Sequence, residues 1–193
     1  MRGFFFLRHG ETDWNAENRM QGRTRSVPLN ETGKKQSEKA AELLAEHRFD
    51  LIVSSPLERA AMTARIIGER IKCPLIFDER LIERSWGVAE GLTHDEIKAA
   101  NPTEIFCDME GKDWMTQLRH PKGAETREAL ADRASAALFD LLSHHQKERI
   151  LLVTHGAWLR ALIFHLTGID QSIPNAAPYA AFEKSEGWQI KRL

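Results

Sequence analysis

The residues best suited to chemistry lie where three apolar segments of the sequence end. The first segment runs directly into Arg8-His9-Gly10, the second ends in Ser54-Ser55 shortly before Arg59, and the third ends in Thr154-His155-Gly156. Arginines bind phosphate oxygens through paired, rigid N–H donors. A neutral imidazole held among such cations is a good nucleophile toward phosphorus, because the cations disfavour its protonation. This combination indicates a site that binds an anion and attacks it.

The elements around these residues predict an α/β fold, a three-layer sandwich with a mostly parallel central sheet, helices on both faces and a small helical lid. Short apolar runs alternate with helical patterns, as in β-α-β units. Ligands of such sheets bind at the carboxyl ends of the strands, so the three polar strand ends should lie together. Strands are predicted at 3–7, 50–54, 74–77 and 149–154, helices at 31–47, 58–71, 125–145 and 157–168, and a terminal hairpin over 176–193.

The chain is expected to form one domain over residues 1–193, with a lid or insertion at about 86–121. A length of 193 residues suits one domain with a sizeable core. Glycines and prolines punctuate the insertion and weaken its helical pattern. Within it, Thr93 and Glu96 have the spacing of a capping box, which predicts a short helix there.

The bulk composition argues against several classes of partner. The formal net charge of -1 disfavours a general nucleic-acid binder or a protein of the membrane surface. No apolar run approaches membrane-spanning length. Cys73 and Cys107 lack the spacing of a metal or redox motif, which favours reduced thiols in a cytosolic protein. We therefore expect a cytoplasmic protein that binds neither nucleic acid nor membrane.

Six stretches of the chain resemble, in order, the histidine phosphatase superfamily, also called the phosphoglycerate mutase-like family. They are LRHGETDWN, NRMQG, PLNETGKKQ, SSPLERAAMTA, LIERSWGVAEG and VTHG. The resemblance implies that His9 is the phosphorylated nucleophile and that Glu83 is the general acid and base. It implies that phosphate and substrate are bound by Arg8, Asn15, Gln21, Gly22, Arg59, His155 and Gly156. No metal or other cofactor is expected, because the fixed cations supply the charge stabilisation.

The resemblance leaves the reaction open between a phosphatase and a bisphosphoglycerate-dependent phosphoglycerate mutase. Longer mutases of the family carry an adjacent arginine pair in the insertion, whereas this chain has only scattered basic residues there. That difference favours a phosphatase acting on a small phosphorylated metabolite. A catalytically silent module that binds phosphorylated ligands is disfavoured, because His9 and Glu83 are both present. A metal hydrolase is disfavoured, because no H-E-x-x-H pattern occurs.

Three further questions stay open in the sequence. Arg23 and Arg25 stand where the family usually has an aspartate, and they either lie in an exposed loop or add an anion contact. We prefer the exposed loop. Trp14 and Trp86 either wall the pocket or pack in the core. No pattern decides between a monomer and a homodimer.

Overall fold

The sheet of the computed structural model contains six strands within the described residues, which are 3–100, 121–146 and 149–193. Its order is β3-β2-β4-β1-β5-β6. The first four strands of this order run parallel. The last two form the predicted terminal hairpin and add an antiparallel edge. In chain order the strands are β1 (Gly3–Arg8), β2 (Leu51–Ser54), β3 (Leu75–Phe77), β4 (Ile150–Thr154), β5 (Pro178–Lys184) and β6 (Gly187–Arg192).

Helices connect these strands, and four of the described helices begin after a capping side chain, on Thr12, Asn30, Thr93 and Thr126. They are α1 (Asp13–Ala16), α2 (Glu31–Leu44), α3 (Glu58–Ile71), α4 (His94–Ala99), α5 (Arg127–His144) and α6 (Gly156–Thr167), with short 3-10 turns at Glu79–Leu81 and Gly87–Ala89. Helix α4 opens with the predicted capping box. The Thr93 hydroxyl accepts the Glu96 N–H at 3.1 Å, and the Glu96 carboxylate accepts the Thr93 N–H at 2.7 Å. No helix in the described ranges combines the length and the low polarity needed to cross a membrane.

The alternation of side chains along the strands divides the core into two layers. Along β1, Phe4 and Phe6 pack in the layer that contains α5 and α6. Phe5 and Leu7 pack in the opposite layer, with α2 and α3. Helices therefore cover both faces of the sheet, and the predicted three-layer α/β sandwich is confirmed.

The carboxyl ends of β1, β2 and β4 meet at one edge of the sheet, because these strands are adjacent and parallel. Arg8 pairs with Thr154, and Ser54 pairs with Val153. The polar residues that follow the three strands therefore converge, as expected from their positions in the sequence.

The predicted lid at 86–121 is described only in part. Its first part contains the turn at Gly87–Ala89 and helix α4, and an isolated bridge pairs Trp86 with Ala124 beyond it. The part at 101–120, with Cys107, lies outside the described residues. The assignment of residues 1–193 to a single domain stays a prediction.

Candidate active site

The imidazole of His9 follows β1 directly and is 2% exposed. Its Nδ1 lies 2.7 Å from the carbonyl oxygen of Gly10. Because a carbonyl only accepts, Nδ1 carries the proton of the neutral ring and Nε2 keeps a lone pair. Burial lowers the pKa of His9 well below its ordinary value, and the guanidinium groups of Arg59 and Arg8 lower it further. The ring is therefore held neutral, with Nε2 as its nucleophilic atom.

Hydrogen bonds from two neighbouring elements hold the backbone at His9. The His9 N–H donates to the carbonyl of Thr154 at 2.9 Å. The Gly10 N–H donates to Thr63 Oγ1 at 3.0 Å, and the Thr63 hydroxyl donates to the carbonyl of Arg59 at 2.8 Å. The loop that carries His9 is thus tied to β4 and to the helix that carries Arg59.

Arg8 and Arg59 place buried donors beside His9. The Nε atoms of both side chains are buried and have no hydrogen-bond partner among the described residues. Arg59 is fully buried, and its terminal nitrogens donate to the carbonyls of Thr24 at 3.0 Å and Gly22 at 2.7 Å. Burial lowers the pKa of Arg59 to about 10, so the group stays charged at neutral pH. Buried donors without a partner are rare in folded proteins, and guanidinium donors suit an anion.

His155 follows β4, and its ring centroid lies 5.2 Å from that of His9. Its Nε2 lies 2.7 Å from Ser55 Oγ, which already accepts the N–H of Leu57 at 3.2 Å. When the Ser55 hydroxyl donates to Nε2, the proton of neutral His155 lies on Nδ1. That Nδ1 is buried without a partner in the described part of the chain. Burial, then the charge of Arg59, lowers the pKa of His155 well below its ordinary value. The neutral ring offers an N–H donor beside His9.

The carboxylate of Glu83 is anchored at the N-terminus of α6. One oxygen accepts the N–H of Arg84 at 2.8 Å and that of Trp158 at 3.0 Å, and the other accepts the N–H of Ala157 at 3.1 Å. The first turn of a helix has unpaired N–H groups and the positive end of the helix dipole, and both favour a carboxylate. Glu83 lines the same cavity as His9, so a positioned acid or base stands near the nucleophile.

A cavity of about 350 Å³ brings the predicted site residues together. Gly22 has φ of +50°, and its carbonyl receives the Arg59 hydrogen bond. Trp14 and Trp86 also line the cavity, and Trp86 is at the same time part of the core. His155 is absent from the lining and reaches the site through its contact with the His9 ring. The predicted residues that line the cavity are Arg8, His9, Asn15, Gln21, Gly22, Arg59, Glu83 and Gly156.

Sequence reasoning missed three residues that support the site. Ser55 was recognised only as the end of a strand, and its bond to His155 was not foreseen. Thr63 follows Arg59 by one helical turn, and this spacing could have identified it. Asn175 lies just before β5, lines the cavity and donates to the carbonyl of His9 at 2.9 Å. No local pattern marks Asn175.

The described residues also bear on two alternatives from the sequence. Arg23 pairs with Glu125 at 3.1 Å and Arg25 pairs with Glu79 at 3.2 Å, and neither arginine is among the residues that line the cavity. This geometry supports the exposed loop over an extra anion contact. Among residues 3–100, 121–146 and 149–193, no group of three or more His, Cys, Asp or Glu side chains is placed to hold a metal ion.

Comparisons with known proteins place this chain and its fold in one family. The model of the histidine phosphatase superfamily (branch 1) matches residues 4–186. The uncharacterized phosphatase PhoE of Bacillus subtilis is 33% identical over 196 residues, which cover 99% of this chain and 93% of PhoE. The probable phosphoglycerate mutase GpmB of Escherichia coli is 38% identical over 172 residues, which cover 86% of this chain and 74% of GpmB. The structure of a mycobacterial glucosyl-3-phosphoglycerate phosphatase in complex with VO3 superimposes with a TM-score of 0.82 at 29% identity, covering 100% of this chain and 97% of that one.

The chain belongs to the histidine phosphatase superfamily, as the six stretches of sequence predicted. The match runs from β1 into the terminal hairpin and so includes every residue named above for the cavity. Within that family it is a phosphatase, a phosphoric monoester hydrolase of the histidine type.

Proposed function

We propose that the protein is a metal-independent phosphatase that hydrolyses small phosphomonoesters through a phosphohistidine on His9. The state of the His9 ring carries this proposal. Its Nδ1 donates to Gly10, its pKa is lowered by burial and by two arginines, and its Nε2 keeps the lone pair. The buried donors of Arg8 and Arg59 suit the oxygens of a phosphoryl group. A cavity of about 350 Å³ suits a small metabolite.

The proposed first step moves the phosphoryl group to His9. The lone pair on Nε2 forms a bond to phosphorus while the bond between phosphorus and the leaving oxygen breaks. The Glu83 carboxylate takes the proton of the bound phosphomonoester monoanion and gives it to that oxygen, so that a neutral alcohol leaves. The charge on the phosphoryl oxygens is stabilised by Arg8, Arg59 and the Nδ1–H of His155.

The proposed second step returns the enzyme to its starting state. A water oxygen forms a bond to phosphorus while the bond between phosphorus and Nε2 breaks. The Glu83 carboxylate takes a proton from that water and passes it to the phosphate. Inorganic phosphate leaves, His9 is again neutral and Glu83 is again a carboxylate. Because the two arginines and His155 supply the charge stabilisation, no step of this scheme requires a metal ion.

The proposed substrate is a small phosphorylated metabolite. The solved mycobacterial relative is named for glucosyl-3-phosphoglycerate, so sugar phosphates and glycerate phosphates belong in the first substrate panel. A cytoplasmic location stays a prediction from the sequence, which does not decide between a monomer and a homodimer.

The test is hydrolysis of p-nitrophenyl phosphate in the presence of EDTA. We expect turnover by the native chain and by the control His165→Gln, since His165 is exposed on the far part of α6. We expect His9→Gln to fall to the background rate. Rapid quenching with ³²P-labelled substrate should trap an acid-labile phosphoryl group on the native protein and none on His9→Gln.

Each of the other outcomes would contradict one part of the proposed function. Loss of activity in EDTA would contradict metal independence, and full activity of His9→Gln would contradict the nucleophile. If the native chain is inactive, conversion of 3- to 2-phosphoglycerate in the presence of 2,3-bisphosphoglycerate would identify a mutase. Binding of phosphate with neither activity would identify a silent binding module.

A further inference from the structure

The side chain of Asn175 joins two parts of the active site that lie near the opposite end of the chain. Its Nδ2 donates to the carbonyl of His9 at 2.9 Å, across a separation of 166 residues. The same Nδ2 lies 3.4 Å from Oδ1 of Asn15. An amide nitrogen has two protons, so one group can serve both acceptors.

These contacts determine which way the Asn15 amide points. Its Oδ1 receives the N–H of Thr12 at 3.2 Å and the Thr12 hydroxyl at 3.1 Å, in addition to the Asn175 amide. A backbone N–H only donates, so the atom that faces it must be the oxygen. Asn15 lines the cavity, and its Nδ2 is therefore the amide atom left to donate to a ligand there.

The backbone around Asn175 is held in an unusual conformation. Ala176 has φ of +49°, a left-handed value that costs a residue with a Cβ about 1 kcal/mol or more. The N–H of Ala176 donates to the carbonyl of Arg8 at 2.9 Å and lies 3.3 Å from that of His9. Asn175 itself pairs with Arg8 in an isolated bridge. The backbone is thus strained at the residue that follows Asn175, and the Asn175 amide contacts the backbone carbonyl of His9.

We propose that Asn175 is a positioning residue for phosphoryl transfer. It holds the His9 carbonyl, and with it the backbone that sets the ring in place. It also orients Asn15 so that an N–H donor faces the phosphoryl group. This inference rests on the proposed function, because it assigns Asn175 a role in the step that His9 carries out.

The first test compares Asn175→Asp with native protein on p-nitrophenyl phosphate. An aspartate carboxylate cannot donate, and it faces two acceptor oxygens, the His9 carbonyl and Asn15 Oδ1. We expect kcat to fall about 100-fold, because small displacements of reacting groups cost about that much, while KM changes by only a few fold. The matched control is Gln171→Ala, which removes a side-chain amide from the same loop. Gln171 is not among the residues that line the cavity, so this variant should keep the native kcat.

The pH dependence of Asn175→Asp separates positioning from general damage. A protonated aspartic acid can again donate to the His9 carbonyl, so the ratio of variant to native kcat should rise as the pH falls through the pKa of the new carboxyl group. A site that is merely distorted has no reason to recover at acidic pH.

The second test uses alanine variants and covers the case in which Asn175→Asp does not fold. If Asn175 acts through Asn15, the double variant Asn15→Ala, Asn175→Ala should lose much less activity than the product of the two single losses. Circular dichroism and urea unfolding would establish that each variant is folded.

The outcomes separate this inference from the proposed function. Native activity that depends on His9, together with a kcat of Asn175→Asp within twofold of native, would overturn the role of Asn175. Losses that multiply in the double variant would overturn the part of that role that acts through Asn15. An inactive native chain, or a fully active His9→Gln, would overturn the proposed function, and the inference would fall with it.

Discussion

Glu83 accepts the backbone N–H of Trp158 at 3.0 Å, across a separation of 75 residues. This bond joins the segment after β3 to the first turn of α6, and the neighbouring bond to the N–H of Ala157 uses the second carboxylate oxygen. The same helix begins with Gly156, next to His155. A single helix N-terminus therefore positions both the proposed acid and the residues around the second histidine.

Replacing Glu83 by Gln should reveal its role through the leaving group. A glutamine cannot protonate the leaving oxygen, so we expect kcat on alkyl phosphates such as glycerol 3-phosphate to fall about 10²- to 10⁴-fold. Nitrophenolate leaves without a proton, so p-nitrophenyl phosphate should give a rapid burst of product followed by slow turnover, because water is no longer activated. The measurement is a stopped-flow comparison of the two substrates.

Glu79→Gln is the control for this comparison, since Glu79 is exposed and pairs only with Arg25 among the described residues. It should behave like native protein on both substrates. Equal losses of Glu83→Gln on both substrates, with no burst, would show that Glu83 has a structural role instead.

The two buried histidines should make stability depend on pH. Burial lowers the pKa of both His9 and His155 in the folded state, so the unfolded chain binds more protons at pH values just below about 6.5. The stabilisation is complete above that pH and is lost as the pH falls through it. Each extra proton corresponds to a slope of about 1.4 kcal/mol in unfolding free energy per pH unit.

Urea unfolding between about pH 5 and pH 7.5 measures this slope, because carboxyl groups titrate mostly below that range. His155→Gln removes one of the two protons and should reduce the slope by about half. His165→Gln, which changes an exposed histidine, should leave the slope as it is. A flat profile for the native protein would mean that both rings bind protons in the folded state as they do in the unfolded chain, and half of the expected slope would mean that one of them does.

The strand ends of the site could be predicted because the sequence marks them locally. The apolar runs of β1 and β4 stop at Arg8-His9 and at Thr154-His155, and the β-α-β order requires the ends to share an edge. The capping box at Thr93 and the terminal hairpin were predictable for the same reason, since each depends on neighbours in sequence.

The residues that hold the two active-site histidines in place from distant parts of the chain could not be predicted in this way. Asn175 reaches His9 only because β5 pairs with β1 at the antiparallel edge, and no periodicity in the sequence encodes that contact. Ser55 meets His155 across 100 residues. Such contacts depend on how complete elements pack, so a local pattern carries no information about them.

Replacing Arg59 by Lys should impair phosphate binding although the charge is kept. Arg59 spans the carbonyls of Thr24 and Gly22 with two nitrogens and still has a buried Nε. Lysine has a single nitrogen and cannot reproduce this fork. We expect kcat/KM to fall about 100-fold or more, as when one preorganised donor to a transition state is removed.

The control for this variant is Arg65→Lys, on the same helix. Arg65 is exposed and stacks over Phe77 at 5.6 Å, so the exchange should leave kcat/KM close to native. Inhibition by inorganic phosphate, measured in parallel, reports binding directly. Native inhibition of Arg59→Lys by phosphate would show that Arg59 serves the fold and not the anion.

Replacing each of two helical glycines by alanine should change the free energy of unfolding in opposite directions. At Gly33, in the first turn of α2, an added Cβ would approach the backbone oxygen of Glu11 to 2.0 Å, and neither backbone can move without displacing the loop after His9. We expect Gly33→Ala to lower the free energy of unfolding by about 1–3 kcal/mol, as overpacking does. It should also lower kcat, because Glu11 is two residues from the nucleophile.

At Gly68, within α3, the added Cβ would meet Cys73 O and Ile52 Cδ1 at 3.4 Å, an ordinary contact distance. Alanine is the better helix former and restricts the unfolded chain, so Gly68→Ala should raise the free energy of unfolding by about 0.5–1 kcal/mol with native kcat. Urea unfolding and p-nitrophenyl phosphate turnover measure both variants. If Gly33→Ala is as stable as Gly68→Ala, the first turn of α2 must lie farther from the Glu11 backbone than the contact at Gly33 indicates.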